Sequence, residues 1–124
     1  MKEAIKKSEV LIEALPHIKK FFEKTIKYGG SSVDENGLDH GILEDIMFMN
    51  YAGMRPVIVH GGGPYISKMM KKAGIEPRFI GGRRYTDDKS LAIIERALGT
   101  INGKIVNALE LMGAKAFGIS GREN

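Results

Sequence analysis

Two glycine-rich segments follow short apolar stretches of the sequence, and both could hold an anion. Gly29 and Gly30 follow residues 25–28, and residues 61–63 follow residues 56–60. Glycine permits positive φ and lets backbone amides approach a ligand, and successive amides in such turns bind anions. Ligands gather beyond the carboxyl ends of parallel strands, so we expect both segments to face one crevice. Tight turns alone would also account for the glycines.

Two basic side chains could supply positive charge at that crevice. Lys27 lies in the first apolar stretch, and because burying an unpaired ammonium is costly, we expect it to be buried beside an anionic ligand. Such a point charge suits phosphoryl transfer, which needs positioning and charge neutralisation. A structural ion pair with Asp or Glu is the alternative. Arg84 carries a planar fork that can bind a carboxylate, although it could also lie on a hairpin without a ligand.

Several other catalytic and binding motifs are incomplete in this sequence. Ile66 stands where a dinucleotide fingerprint needs its third glycine, and Ile105 stands where a P-loop needs Ser or Thr. Ser120 lacks the second glycine of a hydrolase nucleophile elbow. The three histidines show no metal-ligand spacing: His17, His40 and His60. The sequence therefore disfavours a nicotinamide site, a serine hydrolase and a histidine metal site, and His60 is expected to pack or hydrogen-bond at a strand end.

Alternating strands and helices must position these residues. Apolar periodicity predicts strands over residues 25–28, 56–60, 78–80 and 114–119, and helices over residues 38–51, 64–73, 87–98 and 101–112. Thr86 or Asp87 would cap the third of these helices. Right-handed crossovers then give an α/β fold with a mainly parallel sheet, helices on both faces, and a strand over residues 56–60 buried on both sides.

Residues 1–24 predict an amphipathic helix that precedes this α/β part. Its apolar stripe contains Leu11, Leu15, Ile18 and Phe22, and Pro16 within it predicts a kink or a division into two segments. The stripe must lie on the body of the domain or on another subunit.

Length and composition bound the function classes. At 13.6 kDa and 124 residues the chain fits one core, and a compact fold would expose roughly 6,500 Å². The absence of cysteine excludes disulfides and zinc fingers, and without an apolar span or signal-peptide core we expect a cytoplasmic protein with no membrane partner. The net charge of +4 is spread along the chain and Trp is absent, which disfavours nucleic-acid binding.

Three segments, residues 27–30, 57–64 and 82–87, together resemble the acetylglutamate kinases in their order and residue types. The resemblance covers essentially the whole chain, including residues 118–121. It implies the amino acid kinase fold, an αβα sandwich. It also implies phosphorylation of the side-chain carboxylate of N-acetyl-L-glutamate in arginine biosynthesis, with ATP and Mg²⁺ as co-substrate.

The resemblance also implies residue roles. Lys27 would stabilise the transferring phosphoryl group with help from the Gly30 amide. The amides of three glycines would hold the substrate, namely Gly29, Gly62 and Gly63, and Arg84 would clamp a substrate carboxylate. Arg83 replaces a residue that is usually apolar in these kinases.

The domain organisation implied by the resemblance is an N-terminal helix over residues 1–24 and a substrate-binding part over residues 25–124. The ATP-binding residues of these kinases belong to a C-terminal part that this chain does not contain. The N-terminal helix resembles the extension that joins dimers into hexamers in the arginine-sensitive branch, so we expect a homo-oligomer. Alternatives are a non-catalytic acyl-amino-acid-binding or oligomerisation module, or a kinase acting on carbamate, aspartate or glutamate, which residues 82–86 disfavour.

Overall fold

The computed structural model describes residues 1–30 and 33–122, which form four helices and six short strands. The helices are α1 (Lys2–Phe21), α2 (His40–Tyr51), α3 (Gly63–Lys72) and α4 (Asp88–Leu111). The strands are β1 (Thr25–Gly30), β2 (Val33–Asp34), β3 (Gly37–Leu38), β4 (Arg55–His60), β5 (Phe79–Ile80) and β6 (Arg83–Arg84). Within these residues no helix combines the length and the apolar character needed to cross a membrane.

A parallel pair, β1 beside β4, carries the α/β character of the fold. Its register runs from Thr25 opposite Arg55 to Gly30 opposite His60. The other four strands form two antiparallel hairpins, β2 with β3 and β5 with β6. The β5–β6 turn uses Gly81 and Gly82 at φ +56° and +76°, the two-residue geometry that matches strand twist. The predicted α/β class with a parallel sheet and an N-terminal helix is confirmed.

The packed core lies between the helices and one face of this parallel pair. Helix α4 contributes to both hydrophobic clusters: Ile101 to the cluster with α2, and Ala97 to the cluster with α3. Both side chains are fully buried, at 0% exposure. From the strands, Tyr28 and Ile58 pack against the first cluster. Helix α4 therefore holds α2, α3 and the strand pair together.

The opposite face of β1 and β4 is uncovered in the described part of the chain. Exposure alternates along both strands, with Val57 48% and Val59 51% exposed. Burial of β4 on both faces, the sequence-based prediction, is wrong here because no described element packs on this face. The whole chain exposes 9,427 Å², against the roughly 6,500 Å² of a compact domain of this mass.

Helix α4 is continuous over 24 residues, so the predicted division into two helices is wrong. Gly99 and Gly103 lie inside it, and each costs about 1 kcal/mol relative to Ala in a helix interior. Burial of Ala97 and Ile101 on the inner face offsets that cost. Asp87 caps the helix as predicted, and its Oδ1 accepts a hydrogen bond from the Ser90 amide at 2.8 Å.

Residues 114–119 are not a strand, which corrects another sequence-based expectation. They line a cavity of about 510 Å³ together with β4, α2 and α4. The segment passes so close to α4 that a Cβ at Gly118 would lie 2.1 Å from Asn102 Oδ1. Because this segment lies against α4 and not beside a strand, residues 114–119 have no hydrogen-bonded strand partner among the described strands.

Helix α1 runs through Pro16 as one element of 20 residues with no buried side chain. The predicted division into two segments at Pro16 is therefore wrong, while the predicted kink stays a prediction. Its apolar residues Leu11 and Leu15 are exposed, so this part of the stripe does not pack on the body of the described chain. The connection that follows it is anchored: the Phe22 ring lies against Gly53, where a Cβ would come within 2.3 Å, and the Glu23 amide donates to the Gly53 carbonyl at 2.7 Å.

Candidate functional site

The two glycine segments meet at one edge of the parallel pair. Gly30 lies opposite His60 in the register, and residues 61–63 follow directly. Both strands therefore end side by side, as their sequence pattern predicts. Residues 31 and 32, which continue the first segment, lie outside the described residues. Because ligands of open parallel sheets bind beyond the carboxyl ends of the strands, this edge is the place where a ligand would be received.

The second glycine segment is fixed by packing at its centre and open on either side. Gly62 is buried against α4, and a Cβ there would lie 2.6 Å from Ile101 Cδ1. A Cβ at Gly61 or Gly63 would meet nothing within 4 Å. Gly62 precedes the first turn of α3, and its carbonyl accepts from the Ile66 amide at 2.8 Å. Glycine is thus required at position 62 for packing, while its neighbours leave room for a ligand.

His60 joins this edge to α4. Its Nδ1 lies 3.0 Å from the Gly61 carbonyl oxygen and its Nε2 lies 3.2 Å from Asn102 Nδ2. The carbonyl can only accept and the amide nitrogen can only donate, so these contacts select the neutral tautomer protonated on Nδ1. The predicted packing and hydrogen-bonding role of His60 is confirmed, while Asn102 was missed because it lies 42 residues further along the chain.

Arg84 is brought to the start of α3 by the β5–β6 hairpin. Its Nη2 donates to the Gly63 carbonyl at 3.1 Å and to Ser67 Oγ at 2.9 Å, and its Nη1 lies 3.3 Å from Met70 Sδ. The guanidinium carbon lies 4.8 Å from the centre of the Phe79 ring. A carboxylate could accept from the N–H groups of Arg84 that these contacts leave free, or it could replace one of the present acceptors. Sequence reasoning found Arg84 and missed these contacts.

Lys27 lies opposite Val57 on the uncovered face of the strand pair, and its side chain is exposed. The sequence-based expectation that it is buried is therefore wrong for the described chain. Lys27 also takes part in no ion pair that the described residues form, so the structural alternative is not observed. The strand alternation that places it there also exposes Val59, because both belong to the same face.

Two contacts of Glu35 attach the turn between β2 and β3 to α3 and α4. Glu35 Oε2 accepts from Lys68 Nζ on α3 at 2.5 Å, and Lys104 on α4 donates to the Glu35 carbonyl. The hydrogen bond and positive charge of Lys68 lower the pKa of the Glu35 carboxyl. Sequence reasoning missed this clamp, since no local pattern pairs residues 33 positions apart.

Known proteins resemble the chain along nearly its whole length. The model of the amino acid kinase family matches residues 25–123. The chain belongs to the amino acid kinase family. Acetylglutamate kinases of Thermoanaerobacter pseudethanolicus and Methanocaldococcus jannaschii are each 46% identical to it over 98% of its length. The chain spans about 42% of each of these relatives.

The fold of the chain is also similar to that of a solved structure. A crystal structure of N-acetylglutamate synthase from Neisseria gonorrhoeae, in complex with coenzyme A and L-arginine, matches 87% of the chain with a TM-score of 0.62 and 25% identity. The chain covers 26% of that protein. The match shows that most of the fold of this chain recurs in a solved structure.

The described residues contain no group of three or more His, Cys, Asp and Glu side chains that could hold a metal ion. The groups that they bring to the strand edge are the second glycine segment and the guanidinium of Arg84.

Proposed function

We propose that this chain is the substrate-binding part of an acetylglutamate kinase, a cytoplasmic transferase of arginine biosynthesis. The acceptor would be the side-chain carboxylate of N-acetyl-L-glutamate and the donor ATP. Support comes from the 46% identity to acetylglutamate kinases over 98% of the chain. The observation that carries the proposal is the edge where Gly30 lies beside His60 and Arg84 reaches the Gly63 carbonyl.

The substrate would lie across this edge with its two carboxylates apart. Arg84 would bind the carboxylate that does not react, because an arginine fork neutralises and orients it without activating it. The amides of Gly29, Gly62 and Gly63 would hold the other polar groups of N-acetyl-L-glutamate. Openness at Gly63, where a Cβ would meet nothing within 4 Å, supports this placement.

Lys27, with the Gly30 amide, would face the reacting end of the substrate. In phosphoryl transfer the protein mainly positions the reactants and neutralises charge, which an exposed lysine can do once a ligand covers it. Exposure of Lys27 and Val59 on one face supports a role for that face in receiving further protein or ligand. The ATP-binding residues would belong to the remaining length of the longer relatives.

Titration calorimetry of the chain with N-acetyl-L-glutamate tests the proposal. We expect saturable binding, and Arg84→Ala should weaken it by about 10- to 100-fold, the effect of losing a hydrogen bond to a charged group. Arg83→Ala is the matched control, because Arg83 is the exposed neighbour in the same strand. Absence of binding to the wild-type chain would overturn the proposal and favour a non-catalytic oligomerisation module.

A hydroxamate assay with ATP, Mg²⁺ and N-acetyl-L-glutamate examines turnover separately. A chain that binds the acceptor and lacks the nucleotide site should give no acyl phosphate. Product formation that Lys27→Met abolishes would instead show that these residues suffice for catalysis.

We also propose that the chain forms a homo-oligomer through α1. The observation in favour is that Leu11 and Leu15 lie on one helix stripe and are 67% and 47% exposed. Sedimentation of the wild-type chain should show a dimer or larger species, and Leu11→Glu with Leu15→Glu should give a monomer of unchanged helicity. A monomeric wild-type chain would refute this interface.

A further inference from the structure

The start of α3 presents two acceptors to one nitrogen of Arg84. The Gly63 carbonyl and the Ser67 hydroxyl are one helical turn apart and therefore lie on the same side of α3. Arg84 Nη2 contacts both, at 3.1 and 2.9 Å. The two contacts differ in kind, since the first is made by the backbone and the second depends on the side chain at position 67.

The remaining contacts of the guanidinium restrain it weakly. Met70 Sδ is a weak acceptor at 3.3 Å from Nη1, and the Phe79 ring, 4.8 Å from the guanidinium carbon, offers no oxygen acceptor to the N–H groups. Arg84 itself is half-buried, so water competes at its outer edge. Ser67 therefore provides the only described side-chain oxygen that fixes the orientation of the fork.

We propose that Ser67 is a positioning residue for carboxylate recognition: by accepting from Arg84 Nη2 it fixes the guanidinium so that the free N–H donors face the crevice beyond β1 and β4. The proposal rests on the proposed function, because it needs Arg84 to receive the non-reacting carboxylate of the substrate. Ser67 itself does not touch the reacting atoms. Because Ser67 already holds the Arg84 side chain in place, less conformational entropy is lost when the ligand binds.

Nuclear magnetic resonance of the free chain tests the orienting contact without any ligand. Rotation of the Arg84 guanidinium about its Nε–Cζ bond should be slow in the wild-type chain and faster in Ser67→Ala. Ser67→Thr retains a hydroxyl and should keep the slow rotation. Equal rotation rates in the wild-type chain and Ser67→Ala would overturn the proposal. Lys71→Ala, an exposed change on the same helix, is the control for local disturbance of α3.

Ligand affinity then tests whether the orientation matters for recognition. Ser67→Ala should weaken binding of N-acetyl-L-glutamate by about three- to ten-fold, the range for loss of one hydrogen bond, and Ser67→Thr should restore it. The same loss should appear with N-acetyl-L-glutamine, which keeps the α-carboxylate. It should vanish with 4-acetamidobutanoate, which lacks that carboxylate.

The outcomes separate this inference from the proposed function. Failure of the wild-type chain to bind N-acetyl-L-glutamate overturns the proposed function, and the rotation measurement still decides whether Ser67 orients Arg84. Binding that is equal in wild type and Ser67→Ala overturns the role of Ser67 alone. Tighter binding by Ser67→Ala would also overturn it, because it would show that the hydroxyl competes with the ligand for Nη2.

Discussion

Lys27 lies beside Val57 in the parallel register of β1 and β4, and both side chains are exposed. Lys27 takes part in no ion pair of the described residues, and neither it nor Val57 belongs to a hydrophobic cluster. The role proposed for Lys27 in charge neutralisation is consequently separable from the stability of the chain.

Replacement of Lys27 by Met should leave the free energy of unfolding unchanged within about 0.5 kcal/mol, as for surface sites in general. Urea denaturation measures it. Ile58→Ala is the control on the covered face, where the side chain packs against the main core cluster, and it should cost about 1–3 kcal/mol. A loss in Lys27→Met as large as in Ile58→Ala would show that Lys27 is packed in solution.

Gly62→Ala should destabilise the chain, because its Cβ would lie 2.6 Å from the end of the Ile101 side chain, which is 0% exposed and cannot move into solvent. We expect a loss of about 1–3 kcal/mol, as for overpacked cores. Gly61→Ala is matched in chemistry and adjacent in sequence, and a Cβ there meets nothing within 4 Å. Similar unfolding midpoints for the two variants would contradict the close packing of Gly62 on α4.

The glycine loops and the strands before them could be predicted because their signals are local. The apolar run over residues 56–60, the glycines after it and Pro64 at the helix start are adjacent in sequence. What could not be predicted depends on residues far apart. The contact of Arg84 with Ser67 joins residues 17 positions apart. The apolar pattern of β4 also does not indicate which of its faces is left uncovered.

Helix α4 shows how a local signal can also mislead. Gly99 and Gly103 are poor helix residues and suggest a break. The full burial of Ala97 and Ile101 outweighs this preference, since apolar contacts with two neighbouring helices form only when the helix is continuous. The strand predicted at residues 114–119 fails for the related reason that a strand needs a hydrogen-bonding partner as well as an apolar sequence.

The cap of α4 should make stability depend on acid pH. Hydrogen bonds from Ser90, first from its side chain and then from its backbone amide, lower the pKa of the Asp87 carboxyl. A lowered folded-state pKa means that the charged cap stabilises the chain fully above the ordinary Asp pKa of about 3.9. That stabilisation is lost as the pH falls through the lowered value.

Thermal unfolding of the wild-type chain and Asp87→Asn measures this dependence. Asn can cap the helix but does not titrate, and every other carboxyl is common to both proteins. We expect the difference in Tm between them to be larger at pH 7 than at pH 2. A difference that is constant across this range would show that the Asp87 charge contributes nothing to the cap.

The ion pair of Glu35 with Lys68 should couple the β2–β3 turn to α3 in a salt-dependent way. Both side chains are about half exposed, at 43% and 50%, so screening by salt reaches them. A double-mutant cycle of Glu35→Gln and Lys68→Gln should give a favourable coupling at low ionic strength that falls toward zero at 1 M salt. Because Lys68 lowers the pKa of Glu35, the coupling should also disappear as the pH falls through that lowered value.

Glu110→Gln removes the same charge from an exposed site on α4 and serves as the control. Its cycle with Lys68→Gln should show no coupling at any salt concentration.

The β2–β3 turn should stay partly attached in Glu35→Gln, because Lys104 can still donate to the backbone carbonyl of residue 35. Amide hydrogen exchange in β2 and β3 separates these contributions, since it should rise modestly in Glu35→Gln and further when Lys104→Met is added. Unchanged exchange in the double variant would mean that the turn is held by the strands alone.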